Sequence, residues 1–287
     1  MNRELLIKIN RKMDELSKGQ KRIADYILHH YDKAAFMTAS RLGSTVGVSE
    51  STVVRFASEI GYDGYPMLQR ALQEMIRNKL TSVQRIQLAH EQMLPSDVLD
   101  TVLNQDIDRI RRTLDETSRE DFQKAVQAII HAKSVYIVGA KSASTLASFL
   151  TYYLSLIFEN VKLVQVSSSS EMYEQMIRLS ETDVIIGISF PRYSKRTIEA
   201  FRYASDNHAT VIAITDSAES PLAEKADYTL LARSDMASFV DSLVAPLSLV
   251  NALIVAIGIQ MNDQICQTFE KLENIWEEYN VYEKVNS

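Results

Sequence analysis

The sequence predicts two domains of different class: an all-α N-terminal helix-turn-helix domain and an α/β C-terminal domain with a five-stranded parallel sheet flanked by helices. Apolar residues recur at helical spacing through residues 1–80. From Ser134 onward, five short β-branched runs follow one another, and stretches of helical periodicity separate most of them. Strands that are apolar throughout and alternate with helices are typical of a parallel sheet covered on both faces.

The N-terminal domain is predicted to span residues 1–80 and to be helical throughout. Ser17 can cap a helix whose apolar stripe runs from Ile23 to Tyr31. Pro66 suits the first turn of a later helix that continues to about Ile76.

Between these helices, residues 38–65 show the pattern of a helix, a tight turn and a second helix. The first apolar face consists of Ala39, Leu42, Gly43 and Val46. Gly47 permits a left-handed exit from that helix, and Ser49 suits the N-cap of the next. The second apolar face consists of Val53, Phe56, Ala57 and Ile60, and Gly61 ends that helix.

Polar side chains near the start of the second helix are the candidate DNA contacts. Ser51, Thr52 and Arg55 lie off its apolar face, and Ser49 precedes them. Hydroxyl side chains and an arginine at this place suit the reading of bases in the major groove. One alternative is an ordinary helical hairpin with a solvated polar face. For Arg55, the alternative to a base contact is a structural or phosphate-binding role.

The same stretch resembles the N-terminal domain of RpiR-type transcriptional regulators. Their pattern is V-S-x-x-T-V-V-R-F, followed by two glycine–aromatic pairs. Here the run is Val48–Phe56, and the pairs are Gly61-Tyr62 and Gly64-Tyr65. The resemblance implies that the partner is double-stranded operator DNA. The residues expected to bind it are Ser49, Ser51, Thr52 and Arg55.

A linker is predicted at residues 81–97, because periodicity weakens there and residues 94–97 favour a break followed by a new helix cap. The C-terminal domain then covers residues 98–287. It is expected to open with helices at 97–116 and 119–132, the second capped by Ser118. The first helix carries an apolar stripe that needs a covering surface, for which a partner subunit is one candidate. The stripe consists of Leu99, Leu103, Ile107, Ile110 and Leu114.

The β-branched runs give the strands of the predicted sheet, with a central strand at Val184–Ile188. The runs lie at residues 134–139, 161–166, 183–189, 210–216 and 227–232. Residues 240–260 are expected to form a mostly buried helix, not a membrane span, because they include polar groups and Pro246. The tail after residue 267 is predicted to be an amphipathic helix.

The loops that follow the strands are the candidate ligand site, since ligands of open parallel sheets bind beyond the carboxyl ends of the strands. These loops are residues 139–144, 167–170, 189–197 and 215–217, which are rich in Ser and Thr. Hydroxyls and free amides at helix N-termini, with nearby Lys and Arg, suit an anion such as phosphate. The alternative is that each Ser or Thr only caps a helix.

Residues 120–260 look like the sugar isomerase (SIS) domain, the phosphosugar-binding module of RpiR-type regulators. Its common motifs are G-x-G-x-S after the first strand and S-x-S-G-x-T after the third. The resemblance implies a phosphorylated sugar as effector, bound by Lys141, Ser142, Ser189, Arg192, Ser194 and Thr197. Lys141 replaces the second glycine of the first motif, and residues 190–193 stand where the second motif has one residue. The second loop is therefore expected to be longer and more rigid.

Charge and cysteine content narrow the possible classes of protein. Residues 1–80 carry a net charge of +4 and the remainder −10, which fits a DNA-binding module joined to an acidic body. Cys266 is the only cysteine, so neither an internal disulfide nor a thiolate zinc cluster is possible. The start of the chain shows no apolar signal core. We therefore expect a cytoplasmic protein with no cofactor, structural metal or membrane partner.

The predicted function is a ligand-responsive transcriptional regulator of carbohydrate metabolism. A homodimer or tetramer is expected, because a single helix-turn-helix reads too short a half-site. The first alternative is an SIS phosphosugar isomerase with a helical appendage, and the second is a sensor that docks another protein. Isomerisation needs a carboxylate or His base. The strand-end loops offer no His, and Asp216 and Glu171 are assigned to helix capping or first turns, so an enzyme is not predicted.

Overall fold

The computed structural model describes residues 4–76, 81–86, 95–235 and 239–283. The chain forms two compact units, Met1–Gln92 and Met93–Ser287, called here the N-terminal and the C-terminal unit. The middle of the predicted linker, residues 87–94, lies outside the described ranges.

The N-terminal unit is helical, as predicted. Its helices are α1 (Glu4–Lys12), α2 (Lys18–Ala34), α3 (Ala39–Val46), α4 (Glu50–Glu59) and α5 (Tyr65–Ile76), and a short helical segment covers 82–86. Ser17 caps α2 reciprocally with Gln20, each side chain accepting from the other's backbone amide. The Tyr65 hydroxyl donates to Met37 O at 2.7 Å and fastens α5 to the segment before α3. Burial raises the pKa of Tyr65 above its usual value.

The predicted tight turn joins α3 to α4. Gly47 ends α3 with φ +71°, a left-handed conformation that glycine adopts without steric cost. A Cβ on Gly43 would lie 2.8 Å from Val48 O, so the turn passes directly over that glycine. Ser49 caps α4 by accepting from Thr52 N, as expected. Val53, Phe56 and Ala57 of α4 are buried, whereas Ser51 and Arg55 are exposed.

The C-terminal unit has the predicted α/β architecture. Its helices are α6 (Val98–Glu116), α7 (Arg119–His131), α8 (Ala143–Ser155), α9 (Ser169–Met176), α10 (Lys195–Asp206), α11 (Val244–Gln260) and α12 (Asn262–Glu278). Its strands are β1 (Val135–Gly139), β2 (Val161–Val164), β3 (Val184–Ile188), β4 (Thr210–Thr215) and β5 (Tyr228–Leu231). All four strand pairings are parallel, and the order is β2-β1-β3-β4-β5. The five-stranded parallel sheet is confirmed.

Helices cover both faces of the sheet, which explains why its central strands are apolar throughout. On one face, residues of α7, α8 and α11 pack on β1, β3 and β4. On the other, residues of α9 and α10 do so. A Cβ on Gly187 would lie 2.0 Å from the Phe201 ring, so this glycine lets α10 approach β3 closely.

Helix α6 begins at Val98, but its start differs from the expected cap. The Asp97 side chain makes no capping bond, and its Oδ1 accepts from the Ser96 hydroxyl at 2.7 Å. The predicted apolar stripe lies exposed on this helix, with Leu99 70% and Leu114 59% accessible.

The opposite side of α6 is held to the rest of the unit by polar contacts. Arg109 and Asp106 form an ion pair at 2.7 Å, with side chains only 6% and 13% accessible. Asp106 also accepts from the Ser242 hydroxyl at 2.6 Å. Thr113 accepts from the backbone amide of Arg233 at 2.9 Å. The bonds from Ser242 and Arg233 join α6 to the segment that follows β5.

Within the described ranges, no single helix is long and apolar enough to cross a membrane. Helices α11 and α12 meet that criterion of length and composition only as a pair, across a bend of 98°.

Candidate functional site

The first candidate site is a cluster of hydroxyls at the start of α4. Ser49 Oγ lies 2.9 Å from Ser51 Oγ and 2.8 Å from Thr52 Oγ1, and it also accepts from Thr52 N. Ser49 and Ser51 are exposed. The structure thus brings three of the four predicted DNA-binding residues together at the N-terminus of one helix. Hydroxyls in this position can donate to or accept from base edges and phosphates.

Arg55 and Thr52 differ in their freedom to reach a ligand. Arg55 is exposed one turn further along α4, and its Nε donates to Ser51 O at 3.3 Å, a bond that a ligand can replace. Thr52 is half-buried, and a Cβ on Gly19 would lie 3.5 Å from its methyl group. Its methyl therefore faces α2, while its hydroxyl faces Ser49.

The second candidate site lies at the carboxyl edge of the sheet, where the strand order reverses. Chain connections run from β1 outward to β2 on one side and from β3 onward to β4 on the other. A crevice opens between the loops at such a reversal, and ligands of open α/β sheets bind there. Gly139 at the end of β1 pairs with Ile188 at the end of β3. The loops carrying Lys141 and Ser189 consequently leave the sheet side by side.

Three predicted effector residues form one hydrogen-bonded turn after β3. Ser189 is 4% exposed, and its Oγ accepts from Ser194 N at 3.1 Å. Ser194 Oγ in turn accepts from Thr197 N at 3.3 Å and caps α10. These bonds use each serine hydroxyl as an acceptor but leave its proton able to be donated.

Thr197 has a different environment. Its side chain is fully buried, and within the described ranges its Oγ1 has no hydrogen-bond partner. A buried hydroxyl without a partner costs about 1–3 kcal/mol, so such groups are rare and need an explanation. A ligand oxygen would satisfy it only after the first turn of α10 or a neighbouring loop moves, because the side chain has no accessible surface.

The remaining predicted effector residues are exposed. Lys141 has φ +56°, a left-handed conformation that is uncommon for a residue with a side chain, and Ser142 follows it before α8. The Ser142 side chain makes no capping bond to α8. Arg192 is also exposed, on the loop after β3. Lys141, Ser142 and Arg192 are thus exposed on the loops after β1 and β3, whereas Ser189 and Thr197 are buried.

Two side-chain contacts at the carboxyl edge of the sheet were not predicted from the sequence. Asp216, assigned from sequence to helix capping or a first turn, is 6% exposed and accepts from the Tyr193 hydroxyl at 2.9 Å. That assignment was wrong for Asp216, because the described residues 217–222 form turns instead of a helix and the carboxylate holds the loop after β3. Arg196 donates to Ser169 Oγ at 2.8 Å, which joins the loops after β2 and β3. Glu171 does lie in the first turn of α9.

Family models match both halves of the chain. Residues 3–79 match the helix-turn-helix domain of the rpiR family, and residues 128–256 match the SIS domain. The first range contains the hydroxyl cluster of α4. The second contains the crevice between β1 and β3.

Two relatives match this chain over most of its length. An HTH-type transcriptional regulator of Haemophilus influenzae is 28% identical over 283 residues, covering 94% of this chain and 96% of its own. An HTH-type transcriptional regulator of Clostridium perfringens is 25% identical over 215 residues, covering 75% and 76%.

Solved structures agree in fold. The sugar isomerase domain of the RpiR transcription factor from Sphaerobacter thermophilus is 27% identical, with a TM-score of 0.60, covering 62% of this chain and 99% of that one. The Vibrio vulnificus NanR protein, in complex with ManNAc-6P, is 23% identical with a TM-score of 0.57 over 94% of this chain and 98% of its own.

Proposed function

This chain is a transcriptional regulator of the RpiR type with an SIS domain, and we propose that it reads operator DNA through α4 and responds to a phosphorylated sugar. We further propose that it regulates carbohydrate metabolism in the cytoplasm. The strongest support for the sensing role is the buried Thr197 hydroxyl, which has no partner among the described residues, at the point where the strand order reverses.

The proposed effector is an anionic sugar because of the groups that border the crevice. Ser189, Ser194 and Thr197 present hydroxyls at the start of α10, where the helix dipole favours a negative charge. Lys141 and Arg192 add exposed cationic side chains on the loops after β1 and β3, and Ser142 adds a further hydroxyl. ManNAc-6P, the sugar phosphate in the NanR complex, is the first compound to test.

The alternative, a phosphosugar isomerase, has less support. The strand-end loops contain no His, and the buried carboxylate of Asp216 is engaged by Tyr193. A relative that matches almost the whole chain is named as a transcriptional regulator. We therefore propose a non-enzymatic role. An assay for aldose–ketose interconversion of the compound that binds separates the two functions, and turnover would favour the isomerase.

Arg55→Ala is expected to weaken specific DNA binding by about 1–3 kcal/mol, if the guanidinium contacts a base. The measurement is fluorescence anisotropy with duplex DNA from upstream of the protein's own gene and a scrambled duplex. A loss confined to the upstream duplex indicates base reading, and equal losses indicate a phosphate contact. Glu59→Gln, at the other end of α4, is the control. Unchanged binding by Arg55→Ala would refute the contact.

A homodimer or tetramer is expected to form through the exposed stripe of α6. Leu103 and Ile107 are 53% and 46% exposed, although apolar residues repeated along one helix face normally bury against another surface. Leu103→Glu with Ile107→Glu should convert the assembly to monomers in sedimentation velocity at micromolar protein. Ile177→Glu, at a residue 72% exposed on another helix end, should not. A monomeric wild type, with and without DNA, would contradict the proposal.

A further inference from the structure

A basic groove of about 740 Å³ lies between α2 and α3 in the N-terminal unit, outside the hydroxyl cluster of α4. Lys18, Lys21 and Arg22 line it, together with Thr45 at the end of α3. Positions 18, 21 and 22 share one face of α2, since residues three and four apart lie together on a helix. All three cationic side chains are exposed.

The groove borders the part of α4 that carries the predicted base contacts. A Cβ on Gly19 would lie 3.4 Å from Val48 Cγ1 and 3.5 Å from Thr52 Cγ2, so the first turn of α2 packs against the turn and the start of α4. A Cβ on Gly47 would lie 3.2 Å from Arg22 Nη1, which places the guanidinium beside the same turn. When the bases of a DNA duplex contact the start of α4, one strand of the DNA backbone therefore lies towards α2.

The charges in the groove favour an anion over a cation or an apolar group. Three cationic side chains face one carboxylate, Asp25, which lies 3.4 Å from His29 Nδ1. Within the described ranges, no ion pair joins Lys18, Lys21 or Arg22 to a carboxylate. Cationic side chains that, among the described residues, form no ion pair with a carboxylate and lie next to the proposed DNA-reading helix are suited to bind phosphodiester oxygens.

We propose that this groove binds the DNA backbone, with Lys18, Lys21 and Arg22 contacting phosphates on the strand next to the bases read by α4. The inference rests on the proposed DNA binding and adds a second, sequence-independent contact surface to it. Phosphate contacts fix the orientation of a reader on the duplex but carry no base information. The basic groove between α2 and α3 thereby sets the angle at which α4 enters the major groove of the DNA.

The test is the salt dependence of DNA binding by Lys18→Gln, Lys21→Gln and Arg22→Gln combined in the full chain. Anisotropy with the upstream and the scrambled duplex is measured over a series of KCl concentrations. Removal of one phosphate-binding cation should reduce the slope of log K against log salt by about 0.9, so the triple variant should reduce it by nearly 3. The decrease in affinity should be equal for both duplexes, because phosphates are independent of sequence.

A matched variant separates local binding from net charge. Arg11→Gln, Lys33→Gln and Arg70→Gln also removes three exposed positive charges from the N-terminal unit, but none of these residues lines the groove. Its slope should stay at the wild-type value, and thermal melts of both variants should match the wild type because all six side chains are exposed. Equal slopes for both triple variants would overturn the groove as a DNA-binding surface. If the wild type binds neither duplex, the proposed DNA binding fails as well, and the inference falls with it.

Discussion

Arg109→Ala is expected to destabilise the C-terminal unit by about 3–5 kcal/mol. The guanidinium is 6% accessible, and it pairs with Asp106 at 2.7 Å. Removal of the guanidinium leaves the nearly buried carboxylate of Asp106 without its cationic partner. Among the described residues, that carboxylate still accepts a hydrogen bond from the Ser242 hydroxyl. A buried charge without a counter-charge costs far more than an ordinary hydrogen bond. Chemical denaturation followed by far-UV circular dichroism measures the change.

The same helix provides the control for this prediction. Arg111 and Asp108 have the same spacing, but they lie 3.5 Å apart with side chains 74% and 71% accessible. Arg111→Ala should therefore cost less than about 1 kcal/mol. Replacing both buried partners, by Asp106→Leu with Arg109→Met, should restore most of the stability, since no unpaired charge remains. A small effect of Arg109→Ala alone would show that Asp106 is solvated in solution.

The sequence was sufficient for features that depend on neighbouring residues. The two helices around Gly47 follow from the spacing of apolar residues and from the conformational freedom of that glycine. The parallel sheet follows from strands such as Val184–Ile188, whose residues are buried on both faces and apolar throughout. The family models and the sheet topology confirm both predictions.

Features that join distant parts of the chain could not be predicted. The bond from Ser242 to Asp106 spans 136 residues, and no local pattern distinguishes Asp106 from the exposed Asp108 on the same helix. The bond from Tyr193 to Asp216 depends on β3 and β4 being neighbours in the sheet. From the sequence alone, an acidic residue after a strand was more readily explained as a cap, and the structure shows why that was wrong. Hydroxyl-rich loops were predictable, but the burial of each hydroxyl was not.

Thr197→Val is expected to change stability and effector affinity in opposite directions. Valine keeps the branched shape of threonine and removes a hydroxyl that, within the described part of the chain, has no partner. Relief of that desolvation should stabilise the effector-free C-terminal unit by about 1–3 kcal/mol. If the hydroxyl binds a sugar phosphate, its removal should weaken effector binding by about 1.5–3 kcal/mol, roughly 10- to 150-fold. Denaturation without effector and calorimetric titration with the effector measure the two changes.

Thr113→Val tests whether the stability gain is specific to an unpartnered hydroxyl. Thr113 is 7% exposed, and its Oγ1 accepts from Arg233 N at 2.9 Å, so the same substitution there removes a needed acceptor and should destabilise the unit. Thr197→Ser, which keeps the hydroxyl, should retain effector binding better than Thr197→Val. A buried polar group that lowers the stability of the fold is retained where it serves another purpose, such as ligand binding. If Thr197→Val stabilises the protein and binds the effector as the wild type does, the Thr197 hydroxyl does not contact the effector.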